Sequence, residues 1–138
     1  MNPFPEELEF KNGGMVGKER TIILTKQFPI VTSLGTFVAP SGFRSDGASI
    51  PKLAQSIIGN PFGEYLEDAV GHDLGYSEHN TTLTRKQVDM MLRETMWNRP
   101  IKRWKVAAFY LAVRIGGANS FKGSTKNNIN EWPSHSPQ

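Results

Sequence analysis

Between residues 20 and 45 the apolar positions come in short β-branched or alternating runs. They are Thr21-Ile22-Ile23-Leu24, Phe28-Pro29-Ile30-Val31 and Gly35-Thr36-Phe37-Val38. Runs of that length bounded by small and polar residues predict strands, with Pro29 marking an edge or a break. Pro40-Ser41-Gly42-Phe43 reads as a turn. A loop of small residues follows, Arg44-Ser45-Asp46-Gly47-Ala48-Ser49-Ile50-Pro51. Ser49 is placed to cap a short helix starting at Pro51 or Lys52, and Gly59-Asn60-Pro61 stops it.

Beyond the loop the apolar spacing lengthens to that of helices. Three are predicted: from about Gly63 to Tyr76, from about Arg85 to Asn98, and from about Ile101 to Ile115. Thr84 and Gln87 have the spacing of a capping box at the start of the second, and Gly116-Gly117 ends the third. That third helix is apolar on nearly every face, the pattern of a central helix. The fold class expected is α+β, a small antiparallel sheet from the N-terminal third packed on a bundle of three main helices. Residues 1–19, polar and Gly/Pro-containing, are expected as an extended arm or an edge strand. Residues 20–117 form the single domain, and residues 118–138 a polar tail lying over the surface or over a partner.

Polar side chains interrupt the helical stripes. On the first helix Leu66, Ala69, Val70 and Asp73 share a face, with Tyr76 one turn on, so Asp73 points inward. His72 lies about 100° around the same helix. On the second, Arg85, Val88, Asp89, Leu92 and Met96 form the stripe, which also turns Asp89 inward. The loop of about Ser77 to Leu83 is short enough to make the two helices antiparallel neighbours. That hairpin would bring His72 opposite Asp89. A carboxylate on one ring nitrogen fixes the tautomer and leaves the other nitrogen free to take a proton from water. Asp73 is suited to a hard cation, and Ser45-Asp46-Gly47 to further oxygen ligands or to N–H donors for an oxyanion. A structural reading stands beside this. Asp73 would accept N–H groups from the Asp46 loop, and Asp89 would pair with Arg85 or with Arg114, a cation inside an apolar helix that needs a carboxylate.

Composition narrows the options. The chain has 138 residues and no cysteine, so disulfides, thiolate metal sites and a cysteine nucleophile are excluded. Sixteen Lys and Arg against thirteen Asp and Glu make a net charge of +3, which does not by itself argue for nucleic acid. Aromatic residues are not interleaved with Lys and Arg on any predicted strand, so no specific nucleic-acid readout is expected. The N-terminus lacks the pattern of a signal peptide, and no transmembrane segment is expected.

Two resemblances follow from these residues. The run Val38 to Pro51, then Gly63-Glu64-Tyr65, His72-Asp73 with Tyr76, Arg85 with Asp89, and Tyr110 with Ala112-Val113-Arg114, resembles the signature of a phage and prophage family, domain of unknown function 1353. It covers roughly residues 20–117 and implies a bacteriophage gene product, made in the host cytoplasm and located in the virion. More distantly, His72-Asp73 with Tyr76, followed by Asp89, resembles the active-site helices of phospholipase A2. That resemblance implies His72 as general base, Asp89 as its orienting partner, Tyr76 as a buttress and Asp73 as a calcium ligand. The glycine-rich calcium loop of that family has no counterpart here other than Asp46-Gly47.

Two functions from different classes are therefore expected. One is a virion- or tail-associated protein with a hydrolase-like site directed at the host envelope. It would use His72, Asp89 and Tyr76, with a divalent cation such as calcium on Asp73 and Asp46. The other is a non-catalytic structural or adaptor component that contacts other virion or tail proteins. There the same residues, with Ser45, Arg85 and Arg114, form a buried structural network.

Overall fold

A computed structural model describes residues 2–16, 19–47, 49–58 and 65–123. Strands β1 (Phe10–Val16) and β2 (Glu19–Leu24) pair antiparallel, and the short β5 (Arg44–Ser45) adds to the other side of β2. Strands β3 (Phe28–Thr32) and β4 (Gly35–Ala39) form a separate antiparallel hairpin. Helices α1 (Lys52–Ile58), α2 (Leu66–Tyr76), α3 (Arg85–Trp97) and α4 (Arg103–Gly116) follow. The fold is α+β, as the change of apolar period predicts.

The turn after β4 places the site loop. Gly42 has φ +90°, a conformation side chains resist. Gly42 N donates to Leu24 O at 2.7 Å and Leu24 N to Phe43 O at 2.9 Å, so the chain returns beside β2 and sets Ser45 against it. The stretch expected as an arm or edge strand contains β1, and nearer the N-terminus Phe4 stacks on Phe28 with ring centroids 5.6 Å apart.

Two apolar cores lie on opposite sides of α2. Val70 and Leu74 face the strands, packing with Ile22, Leu24, Phe28 and Ile30. Ala69 joins the helical core of Ile50, Leu92, Met96, Val106, Phe109 and Val113. The axes of α2 and α3 approach closely at Gly75, where a Cβ would lie 2.3 Å from Val88 Cγ1. The central helix is thus α2.

This corrects the expectation for α4. Its buried residues are Val106, Phe109, Ala112 and Val113. Trp104, Leu111 and Ile115, on its other side, are 61%, 59% and 67% exposed. An apolar pattern all round states that every face suits burial, but among the described residues nothing covers this one. Trp97 and Trp104, on either side of the α3–α4 turn, are likewise exposed, and Arg103 stacks over the Trp97 ring. The expected stop at Gly59-Asn60-Pro61 and the start at Gly63 lie outside the described residues. The capping box at Thr84 is present, with Thr84 Oγ1 accepting from Gln87 N and Gln87 Oε1 from Thr84 N.

Candidate functional site

The acid and histidine positions of α2 and α3 meet between the two cores. The antiparallel packing of these helices puts His72 Nε2 2.7 Å from Asp89 Oδ1, and both side chains are fully buried. Tyr76, one turn on, donates its hydroxyl to the same Oδ1 at 2.6 Å. Arg114, reaching across from α4, donates to Asp89 Oδ2 at 2.8 Å. Arg85 lies 3.5 Å from Oδ2 and also donates to the carbonyls of Val113 and Arg114 at 3.3 Å, the open end of α4. Both pairings considered for Asp89, with Arg85 and with Arg114, occur together. Gly117 makes this approach possible, because a Cβ there would lie 2.7 Å from the Tyr76 hydroxyl.

Asp73 occupies the other end of the seam. Its Oδ2 accepts from Ser45 Oγ and from Gly47 N at 2.8 Å. Its Oδ1 accepts from Ser49 N at 3.3 Å and from Ser49 Oγ. Ser49 Oγ is in turn 3.0 Å from His72 Nδ1. A continuous chain of hydrogen bonds therefore runs Asp73–Ser49–His72–Asp89, each carboxylate collecting four donors. Ser49 was placed by its sequence position as a cap for α1. Its side chain is instead committed to this seam, and α1 begins at Lys52.

Ser49 has one hydroxyl proton and faces two groups able to accept it, Asp73 Oδ1 and a neutral His72 Nδ1. One proton cannot serve both. Either Nδ1 carries a proton and donates to Ser49, or Asp73 holds one and Ser49 donates to the ring. Burial raises the Asp73 carboxyl above its ordinary range, opposed by the bonds from Ser45, Ser49 and Gly47 and by the charge of His72. For Asp89 burial acts in the same upward sense but is outweighed. The bond and charge of His72 and the bonds from Tyr76 and Arg114 hold that carboxyl below the ordinary range. Tyr76 is pushed up by burial and by the Asp89 charge, so it stays a donor.

The seam borders an open cleft near Asp73. Ser49, Asp73 and Tyr76 lie on the floor of a cleft of about 410 Å³, whose walls include Arg44, Asp46 and Lys122. The two acids expected to hold a cation thus border the same cleft. They are not brought together as a ligand set: Asp73 spends both oxygens on the Ser45–Ser49 loop. Among the described residues no three His, Asp or Glu side chains converge as metal ligands. Asp73 also takes the N–H of Gly47, part of the Ser45-Asp46-Gly47 loop expected to offer oxyanion donors, and the N–H of Ser49 beside it. The expected free ring nitrogen of His72 is also absent, because Nδ1 is taken by Ser49.

A second polar cluster was not anticipated. Asp68 accepts from Thr95 Oγ1 at 2.8 Å and from Arg99 Nη1, which joins α2 to the far end of α3. Burial pushes its carboxyl up to about 6 against the pull of Arg99 and Thr95. The signal was present in the spacing: Asp68 precedes His72 by one helical turn and so shares its inward face.

Comparison with known proteins adds a family and one relative. A family model described as protein of unknown function (DUF1353) matches residues 22–113, more than half of the chain. The uncharacterized protein y4jT of Sinorhizobium fredii (strain NBRC 101917 / NGR234) is 39% identical over 79 residues. The match covers 56% of this chain and 23% of that protein, so the chain spans under a quarter of the length of this relative. No solved structure matches.

Proposed function

The chain belongs to the DUF1353 family, and on that premise we propose that it is a non-catalytic adaptor module. In this reading its His72–Asp89 seam fastens the Ser45–Ser49 loop and α4 to the central helix. The observation that carries the reading is the state of His72. The ring is buried, and both nitrogens are bonded to protein groups, leaving neither for a substrate or a water. The carboxylate of Asp73 beside Ser49 adds to this. It would repel an oxyanion forming at Ser49, and the amides that would stabilise one are already used. The phage signature read from Val38 to Arg114 supports a virion or tail assembly as the place where such an adaptor would dock, with other virion proteins as partners. Among the described residues no helix is long and apolar enough to cross a membrane.

The test is His72→Gln, measured by chemical denaturation and by turnover on lipid ester and peptidoglycan. The adaptor reading expects a loss of about 1–3 kcal/mol of stability, as for a buried partner left unsatisfied, and no turnover by either protein. Wild-type hydrolysis that vanishes in a variant of unchanged stability would refute it. The cleft of about 410 Å³ above Ser49, Asp73 and Tyr76 favours a second reading, a hydrolase-like site acting on the host envelope. That reading requires Ser49 to leave Asp73 and present its hydroxyl upward, with His72 taking the proton and Asp89 holding the ring.

A further inference from the structure

The surface between α3 and α4 holds a groove of about 640 Å³, separate from the seam and its cleft. Its lining is chiefly apolar and includes Leu34, Met90, Met91, Trp97, Val106 and Tyr110. It runs into the uncovered side of α4, since Ala107 lines the groove and belongs with Trp104, Leu111 and Ile115 on the exposed stripe. From Trp104 to Ile115 that stripe is about 16 Å long at 1.5 Å per residue.

The charge around the groove is mainly positive. Arg93 stacks over Tyr110 with its guanidinium 4.6 Å from the ring centroid, and Arg103 over Trp97 at 3.9 Å. Both rings line the groove, as does Arg93 itself, and Arg103 flanks it through its stack on Trp97. Neither has a carboxylate partner among the described residues. Lys105 adds a third cation over Trp104, and α4 has no acid in its first turn. The acid that does line the groove, Glu94, is committed to Ser33, accepting from its N at 2.8 Å and its Oγ at 2.6 Å. A second copy of α4 would bring Lys102, Arg103 and Lys105 against their own kind, since α4 carries no Asp or Glu.

We propose that the α3–α4 groove binds an amphipathic helix of a partner protein, whose apolar stripe seats on Met90, Trp97 and Ala107 while flanking Asp or Glu residues pair with Arg93 and Arg103. The apolar floor supplies the helix-in-groove contact, methionines let it adapt to the occupant, and the stacked guanidiniums are held open for carboxylates. The inference deepens the adaptor reading by naming the chemistry of its partner, and the two fail separately. Turnover dependent on His72 would end the adaptor reading and leave groove binding in place. An inert protein whose groove binds nothing would do the reverse.

The probe is a synthetic helix of about 18 residues, enough for five turns, with Leu and Phe on one face and Glu on its flanks. A second peptide has Lys in place of Glu. Titration calorimetry and tryptophan fluorescence follow binding to the intact chain. The expected result is binding of the Glu peptide at least tenfold tighter than the Lys peptide, weakening with salt. Arg93→Glu with Arg103→Glu should reverse that preference. Ala107→Glu, and the milder Ala107→Gln should the first disturb folding, should weaken the Glu peptide tenfold or more. Equal binding of both peptides, or no binding of either, overturns the proposal. So does binding only to vesicles of anionic phospholipid, which assigns the face to a lipid surface. A dimer in sedimentation that Ala107→Glu disperses overturns it in favour of a second copy.

Discussion

Helices α2 and α4 invert what their sequences suggest. In eleven residues α2 carries Glu67, Asp68, His72 and Asp73, yet it buries eight of them. The fourteen-residue α4 is apolar on most faces and buries four. Hydrophobicity states what burial would gain, whereas topology decides which helix has neighbours on both sides. The chain order places α2 between the sheet and the helical pair, and its buried Asp68, His72 and Asp73 tolerate the position because each is given partners. The outer side of α4 has the composition of a core and lacks an occupant within the described residues.

Breaking the seam of α2 should have the largest effect. Asp89→Ala leaves His72, Tyr76 and Arg114 without their shared acceptor. Chemical denaturation should show a loss of about 3–5 kcal/mol, the range for one partner removed from a buried ion pair. A loss below about 1 kcal/mol would mean that the seam contributes little, and the contrast with α4 would collapse. Gly75→Ala comes next. Its Cβ meets Val88, so overpacking should cost about 1–3 kcal/mol. Val88→Ala in the same chain should return part of that loss in a double-mutant cycle, and strict additivity would exclude the close crossing as the cause.

A smaller effect sets Asp68 against Asp89 by pH. The Asp68 carboxyl is raised to about 6 from an ordinary 3.8, so the folded chain holds a proton there that the unfolded chain has released. Its contribution is complete below about pH 4 and is lost as pH rises towards 6. Asp89, held below its ordinary range, acts oppositely, and its contribution is lost only in stronger acid. Asp68→Asn should therefore flatten the fall in stability between pH 4 and 6 seen in denaturation curves, and leave the loss in stronger acid. An unchanged slope would assign that titration elsewhere. The smallest effect belongs to α4. Leu111→Gln should shift stability by no more than about 0.5 kcal/mol in denaturation, as for surface positions. A cost of several times that would show the stripe to be covered.

Much of the seam is legible in the sequence. The 3.6 period turned Asp73 and Asp89 inward, and the short loop of about Ser77 to Leu83 forced an antiparallel hairpin, which is enough to set His72 against Asp89. Arg114 stood out as a cation in an apolar helix, and its need for a carboxylate named the partner class. What the spacing does not contain is which hydroxyl reaches His72 from another part of the fold. Ser49 has the local environment of a helix cap, and only the return of the chain along β2 brings it to the ring. Nor does periodicity rank helices by their neighbours, so the apolar α4 was placed at the centre and the mixed α2 was not. Asp68 was readable in principle, lying one turn from His72, but its partner Arg99 sits in the turn just past the end of α3, where helical periodicity carries no information.

The seam also bears on how the chain reaches this state. Its bonds join positions far apart in sequence: 28 residues separate Ser45 from Asp73, 17 separate His72 from Asp89, and 25 separate Asp89 from Arg114. No hairpin or helix pair taken alone contains the whole set. Loop-closure entropy must be met for every one of these contacts before any of them lowers the energy of the others. The α2–α3 hairpin, formed early and alone, would hold a histidine and an acid without the loop and without Arg114. The free energy of the seam is thus available only to the assembled chain, which makes sheet, loop and helices one cooperative unit.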